Sequence, residues 1–217
     1  MAVGMRGRAV LLDVDGTLLD VLPNLRRVWA DWALRHDLDP ELVWQIALVT
    51  RPTETFAAVA PSLDPASCLA VLHELEDEDA HSGSYTAFDG ASELLGSFRP
   101  ADWAIVTGNY AHRVRIRFER LGLPLPQVIV DADSVKRGKP HPEGYLKAAK
   151  ALGRRPDQCL SLEDGESGIT AARRAGVTVW AVNVKSDQSG IEIAHRTYPT
   201  LKLATEDAIE WLDGASS

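Results

Sequence analysis

The chain has 217 residues, with 23 Lys+Arg against 31 Asp+Glu, a formal net charge of −8, 45% hydrophobic and 25% charged content. That is ordinary globular composition, long enough for one large domain or a core with a smaller companion. The acidic balance argues against a nucleic-acid partner, and no segment approaches the roughly 20 continuous apolar residues that span a bilayer. The opening MAVGMRGRAVLLDVDG has only a short apolar run broken by acids. It is read as no secretion signal, and the chain as cytoplasmic with no membrane partner. Cys68 and Cys159 lie far apart without metal-type spacing and read as reduced thiols, one on a helix and one in a buried strand.

In chain order, the first element is the apolar run RAVLLD (8–13), a strand that ends in acid, since Asp13, Asp15 and Asp20 fall within eight positions. Strands deplete aspartate, so the cluster asks for a reason. Residues two apart on a strand point to the same side, which would aim Asp13 and Asp15 at one site. Like charges so close are costly unless a cation or a shared proton relieves them. A hard cation such as Mg²⁺, with oxygen ligands, meets that need. The alternative is that the acids cap the following turn and do no chemistry.

Residues 21–88 read as an all-helical insertion with no strand pattern. LPNLRRVWADWALRHDL places Leu22, Leu25, Trp29, Trp32 and His36 at helical spacing, and the tryptophans are expected to pack a core. PASCLAVLHELEDEDA is a further helix, whose HELEDEDAH run (73–81) is expected to be a solvated face. Beyond it, WAIVT (103–107), PQVIVD (126–131), QCLSLED (158–164) and VTVWAV (177–182) are short continuous apolar runs. Such runs suit strands buried on both faces of a parallel sheet. Helical stretches at 109–122, 142–153 and 166–176 separate them, each stopping at a glycine. The alternation predicts an α/β fold, a Rossmann-like doubly wound parallel sheet made from 1–20 and 89–217.

Ligands of such sheets bind outside the carboxyl ends of the strands. Thr107, Gly108 and Asn109 follow one run, Lys139 lies in a loop stiffened by Pro140 and Pro142, and Glu163-Asp164 closes another. Each is weak alone. Together they put carboxylates, a hydroxyl and an ammonium at one sheet edge.

These segments resemble the four motifs of haloacid dehalogenase-superfamily phosphohydrolases with a helical cap. DVDGTLLD matches DxDGTxxD, Thr107 the Thr/Ser of the second motif, Lys139 the lysine of the third, and EDGESGITAARRAG (163–176) the fourth. The match runs from about residue 8 to about 184, with 21–88 in the position of the cap. It is strongest toward sugar- and polyol-phosphate phosphatases, including those acting on glycerol phosphate and 2-deoxyglucose 6-phosphate. The resemblance implies a small phosphomonoester substrate, a Mg²⁺ cofactor, and a monomer or homodimer. It implies Asp13 as nucleophile and Asp15 as general acid and base. Thr107, the Gly108 amide, Asn109 and Lys139 would hold the phosphoryl group. Asp13, Asp164, Glu163 and the backbone carbonyl of Asp15 would hold the metal.

Two departures touch substrate recognition. The branch commonly carries a His-Gly-Lys/Arg element in the cap, where this chain has LVTRPTET with Arg51 as the one counterpart. The second motif is TGN where the branch has TSG. Arg51 is therefore the expected substrate contact of the cap, against the alternative of a solvated arginine before a proline-started helix. A phosphosugar mutase of the beta-phosphoglucomutase type shares all four motifs and is the alternative function. A true dehalogenase needs no general acid and would lack Asp15.

Overall fold

The computed structural model describes residues 7–48 and 50–214. Residues 1–6, on which much of the secretion-signal reading turns, lie outside the described residues, as do Val49 of the cap segment and 215–217. The chain divides after Asp20 and before Thr86 into two compact units, Val21–Tyr85 forming one and the segments on either side the other.

The first unit opens with β1 (Ala9–Leu12), whose four residues are all buried, and then the short β2 (Leu19–Asp20). The second unit supplies α1 (Leu22–Arg35), α2 (Pro40–Ala47), α3 (Pro52–Val59) and α4 (Pro65–Ser82). Back in the first unit come β3 (Thr86–Ala87), α5 (Ala91–Ser97), β4 (Trp103–Val106), α6 (Ala111–Leu121) and β5 (Val128–Val130). They are followed by α7 (Glu143–Ala151), β6 (Cys159–Glu163), α8 (Glu166–Ala175), β7 (Thr178–Ala181), β8 (Arg196–Thr197) and α9 (Leu201–Asp213).

Six strands form one parallel sheet in the order β5-β4-β1-β6-β7-β8, the doubly wound Rossmann-like sheet expected from the sequence, which does not itself specify the strand order. The chain runs outward from β1 in both directions, so the switch point lies between β1 and β6. Register aligns the strand ends there, with Leu12 opposite Ile105 of β4 and Leu162 of β6. Ala9 and Leu11 pack with Tyr145 and Ala148 of α7 and with Ile169 and Ala172 of α8. By the alternation of a strand, Val10 and Leu12 face the opposite side of the sheet. Burial on both faces is why this strand reads as a continuous apolar run.

In the second unit, Trp29, Trp32, Phe56, Cys68 and Leu72 pack into one core, with the Trp32 and Phe56 rings stacked at 5.0 Å. The tryptophans are core residues, as expected. Two features differ from the sequence reading. Leu22 begins the predicted apolar stripe but is exposed. Asp79, inside the run expected to be solvated, is buried and accepts hydrogen bonds from Asn24 at 2.9 Å and from Arg27 and Tyr85. Helical periodicity explains it: Leu72, Leu75 and Asp79 share the inward face of α4, and the dense acids around them conceal that stripe. The expected all-helical character of 21–88 also gives way at its end. Thr86–Ala87 pairs antiparallel with Leu19–Asp20, and the Phe88 N–H donates to the Leu18 carbonyl. A two-residue strand is too short to show alternation.

Candidate active site

At the carboxyl ends of β1 and β6, carboxylate oxygens of Asp13, Glu163 and Asp164 all lie within 4.8 Å of one another. Lys139, delivered by the loop after β5, donates from Nζ to Asp13 Oδ1 at 2.5 Å and to Glu163 Oε1 at 2.6 Å. The Tyr145 hydroxyl donates to the same Glu163 oxygen, and Thr17 Oγ1 donates to Asp164 Oδ1 at 3.0 Å. Two glycines make room for this convergence. A Cβ on Gly16, which also has φ +87°, would overlap the Asp164 carboxylate, and one on Gly168 would overlap that of Glu163.

Burial sets the electrostatics. It pushes Asp13 up to about 7 against the opposing pull of Lys139, and raises Asp164 to about 7 with help from the charge of Asp13. Glu163 is raised for the same reason. Burial also works against the charge of Lys139, but Asp13 and Glu163 outweigh it and hold the ammonium well above its ordinary range. Three clustered carboxylates beside one ammonium leave negative charge uncompensated. A divalent cation that prefers oxygen donors, such as Mg²⁺, fits that donor set and that deficit.

The first unit thus brings together Asp13, Lys139, Glu163 and Asp164. Thr107 is buried at the end of β4, where its Oγ1 accepts the Asn109 N–H at 3.0 Å, and Gly108 beside it is exposed. A cavity of about 250 Å³ borders Thr107, Gly108 and Lys139. Asp15 has partners of its own. Its carboxylate is not among the clustered oxygens but takes Arg117 Nη1 at 2.9 Å and Asn109 Nδ2 at 2.7 Å. Asp15 lies beyond β1, which ends at Leu12, and forms an isolated bridge with Leu19, while its charge still acts on Asp13. Asn109, expected on the phosphate, has its side-chain amide committed to Asp15. Arg51 belongs to the second unit, exposed at the start of α3, with its N–H donated to Glu54 Oε2 at 3.0 Å.

Sequence reasoning missed Arg117, Tyr145 and Thr17. Arg117 left a signal, since it falls on the buried stripe of α6 with Val114 and Phe118, where a cation needs a partner. Tyr145 looks like any core aromatic, and Thr17 like any turn residue.

The family model for haloacid dehalogenase-like hydrolases matches residues 8–176. The chain belongs to this family. Hexitol phosphatase A of Escherichia coli is 38% identical to this hydrolase over 186 residues, covering 84% of this chain and 86% of the relative. Fructose-1-phosphate phosphatase YqaB of the same organism is 31% identical, covering 83% of this chain and 97% of its own. In three dimensions, a haloacid dehalogenase-family hydrolase from Entamoeba histolytica superposes with a TM-score of 0.77 over 95% of this chain and 99% of its own. At 22% identity that likeness speaks for the fold alone.

Proposed function

We propose that this hydrolase is a phosphoric monoester hydrolase that removes the phosphoryl group from a small sugar or polyol phosphate through an aspartyl-phosphate on Asp13. The observation that carries the reading is the buried Asp13–Lys139–Glu163 arrangement at the switch point, beside Asp164. Asp13, Glu163 and Asp164 are the residues that would hold Mg²⁺, whose charge would offset the repulsion between a carboxylate and a phosphate.

Lys139 orients the Asp13 carboxylate through Oδ1 and leaves the other oxygen to attack phosphorus. As the new O–P bond forms, the bond from phosphorus to the leaving oxygen breaks, and Asp15 in its acid form gives that oxygen a proton. Thr107, with the Gly108 amide, and Lys139 hold the phosphoryl oxygens while charge moves across them. In the second half, Asp15 takes a proton from water as the water oxygen attacks phosphorus, and the acyl phosphate bond breaks to restore Asp13.

Relatives named for hexitol, fructose 1-phosphate and glycerol 1-phosphate support a sugar or polyol phosphate as substrate, while others are named for phosphoglycolate and validoxylamine A 7'-phosphate. The test is phosphate release from a panel of hexitol, ketose, glycerol and nucleotide phosphates, with and without a chelator. Chelator-sensitive turnover concentrated on hexitol, ketose or glycerol phosphates supports the reading. Preference for nucleotides, or indifference to chelation, contradicts it.

A further inference from the structure

Asp15 is the acid-base residue of the proposed mechanism, and both of its carboxylate oxygens are already gripped from the side of α6. Arg117 holds Oδ1 at 2.9 Å and Asn109 holds Oδ2 at 2.7 Å. The Arg117 side chain is 5% exposed while that of Asp15 is 29% exposed, so a buried cation reaches outward to a carboxylate at the rim. Burying a guanidinium is costly unless its charge is matched, and Asp15 contributes to that match in its base form, the form that the second half of the proposed reaction uses.

Asn109 is oriented as firmly. Its Oδ1 accepts the Tyr110 N–H at 2.8 Å, its own N–H donates to Thr107 Oγ1 at 3.0 Å, and its carbonyl accepts the Ala132 N–H at 3.0 Å. With Oδ1 so engaged, the amide presents Nδ2 to Asp15. The bond to Thr107 ties this grip to the end of β4, and the bond from Ala132 ties it to the segment that follows β5.

We infer that Arg117 and Asn109 are positioning residues that clamp the Asp15 carboxylate and so fix where the proton meets the leaving oxygen. Neither touches the reacting atoms. The inference rests on the phosphatase reading above. Proton transfer needs heavy atoms within about 2.6–3.2 Å, and a misplacement of about 1 Å can cost on the order of 10²-fold. A carboxylate freed to rotate about its own bonds would lose that register. The loss falls on substrates whose leaving group must be protonated.

The test compares kcat/KM for a hexitol phosphate, an alkyl ester, with p-nitrophenyl phosphate, whose phenolate leaves without a proton. Arg117→Met and Asn109→Ala should each lower the alkyl-to-aryl ratio, by about tenfold or more for Arg117→Met given the range over which general acids act. Arg117→Lys should recover part of the ratio by restoring a donor. Parallel losses on both esters would make Arg117 a structural residue and overturn the clamp. Should circular dichroism show Arg117→Met unfolded, Asn109→Ala, at a half-buried position, decides alone, and an unchanged ratio there overturns it. Wild-type enzyme inactive on both esters would overturn the phosphatase reading and the clamp with it, which separates that failure from a changeless ratio in an active enzyme.

Discussion

Gly168→Ala sets two physical effects against each other in one substitution. Gly168 lies in the first turn of α8, and alanine at a helical position is ordinarily favoured over glycine by about 1 kcal/mol. Here the new methyl would overlap the Glu163 carboxylate, a buried group that accepts from Lys139 and Tyr145. Relieving the overlap means moving Glu163 off those donors, and hydrogen bonds to charged groups are worth about 1.5–3 kcal/mol each. The clash therefore wins, with a net destabilisation of about 2 kcal/mol or more after the propensity gain is subtracted. For a chain of this size that is a fall in Tm of about 4–8 °C. Gly96 in α5 is the matched control, because a Cβ there meets nothing within 4 Å. Thermal melts of both variants should move in opposite directions, Gly96→Ala upward and Gly168→Ala downward. A Gly168→Ala protein as stable as wild type would refute the packing of Glu163 against α8.

Metal-free protein should lose stability as pH rises from about 4 to about 7 through Asp13 and Asp164. Burial raises both groups from 3.8 to about 7, so the folded state binds more protons than the unfolded state across that window. Added Mg²⁺ must displace those protons, so its rise in Tm should be larger at pH 8 than at pH 6, and an equal rise at both would contradict the proposed ligand set. Arg51→Ala should lower kcat/KM for the preferred sugar phosphate by about tenfold or more, the scale of one charged hydrogen bond, and lower p-nitrophenyl phosphate turnover less. Unchanged kinetics on both would leave Arg51 as the solvated start of α3.

The parts of this molecule that announce themselves in the sequence are those where burial and chemistry act in opposite directions. β1 and β6 are buried on both faces, so their apolar runs are continuous, and the acids at their ends stand out against them. Lys139 is conspicuous because prolines follow it closely. Asp15 is visible as a residue, but its direction is not. Its placement depends on where the chain leaves the sheet after Leu12 and on a partner 102 positions away. Asp79 is hidden for a related reason: in a helix crowded with acids, composition cannot show which one turns inward to meet Asn24 and Arg27. β3 is invisible because two residues carry no period, and only pairing with Leu19–Asp20 defines it.

The central claim is that Asp13 takes the phosphoryl group, and a single turnover tests it directly. Excess enzyme would be mixed with the preferred phosphate ester, quenched in acid during turnover, digested and analysed by mass spectrometry, with Asp13→Asn alongside. The account predicts one added phosphoryl group on the peptide that contains Asp13, rising and then decaying as phosphate appears, and absent from Asp13→Asn. Phosphate released at full rate with no modified peptide, or a phosphoryl group on any residue other than Asp13, would contradict it.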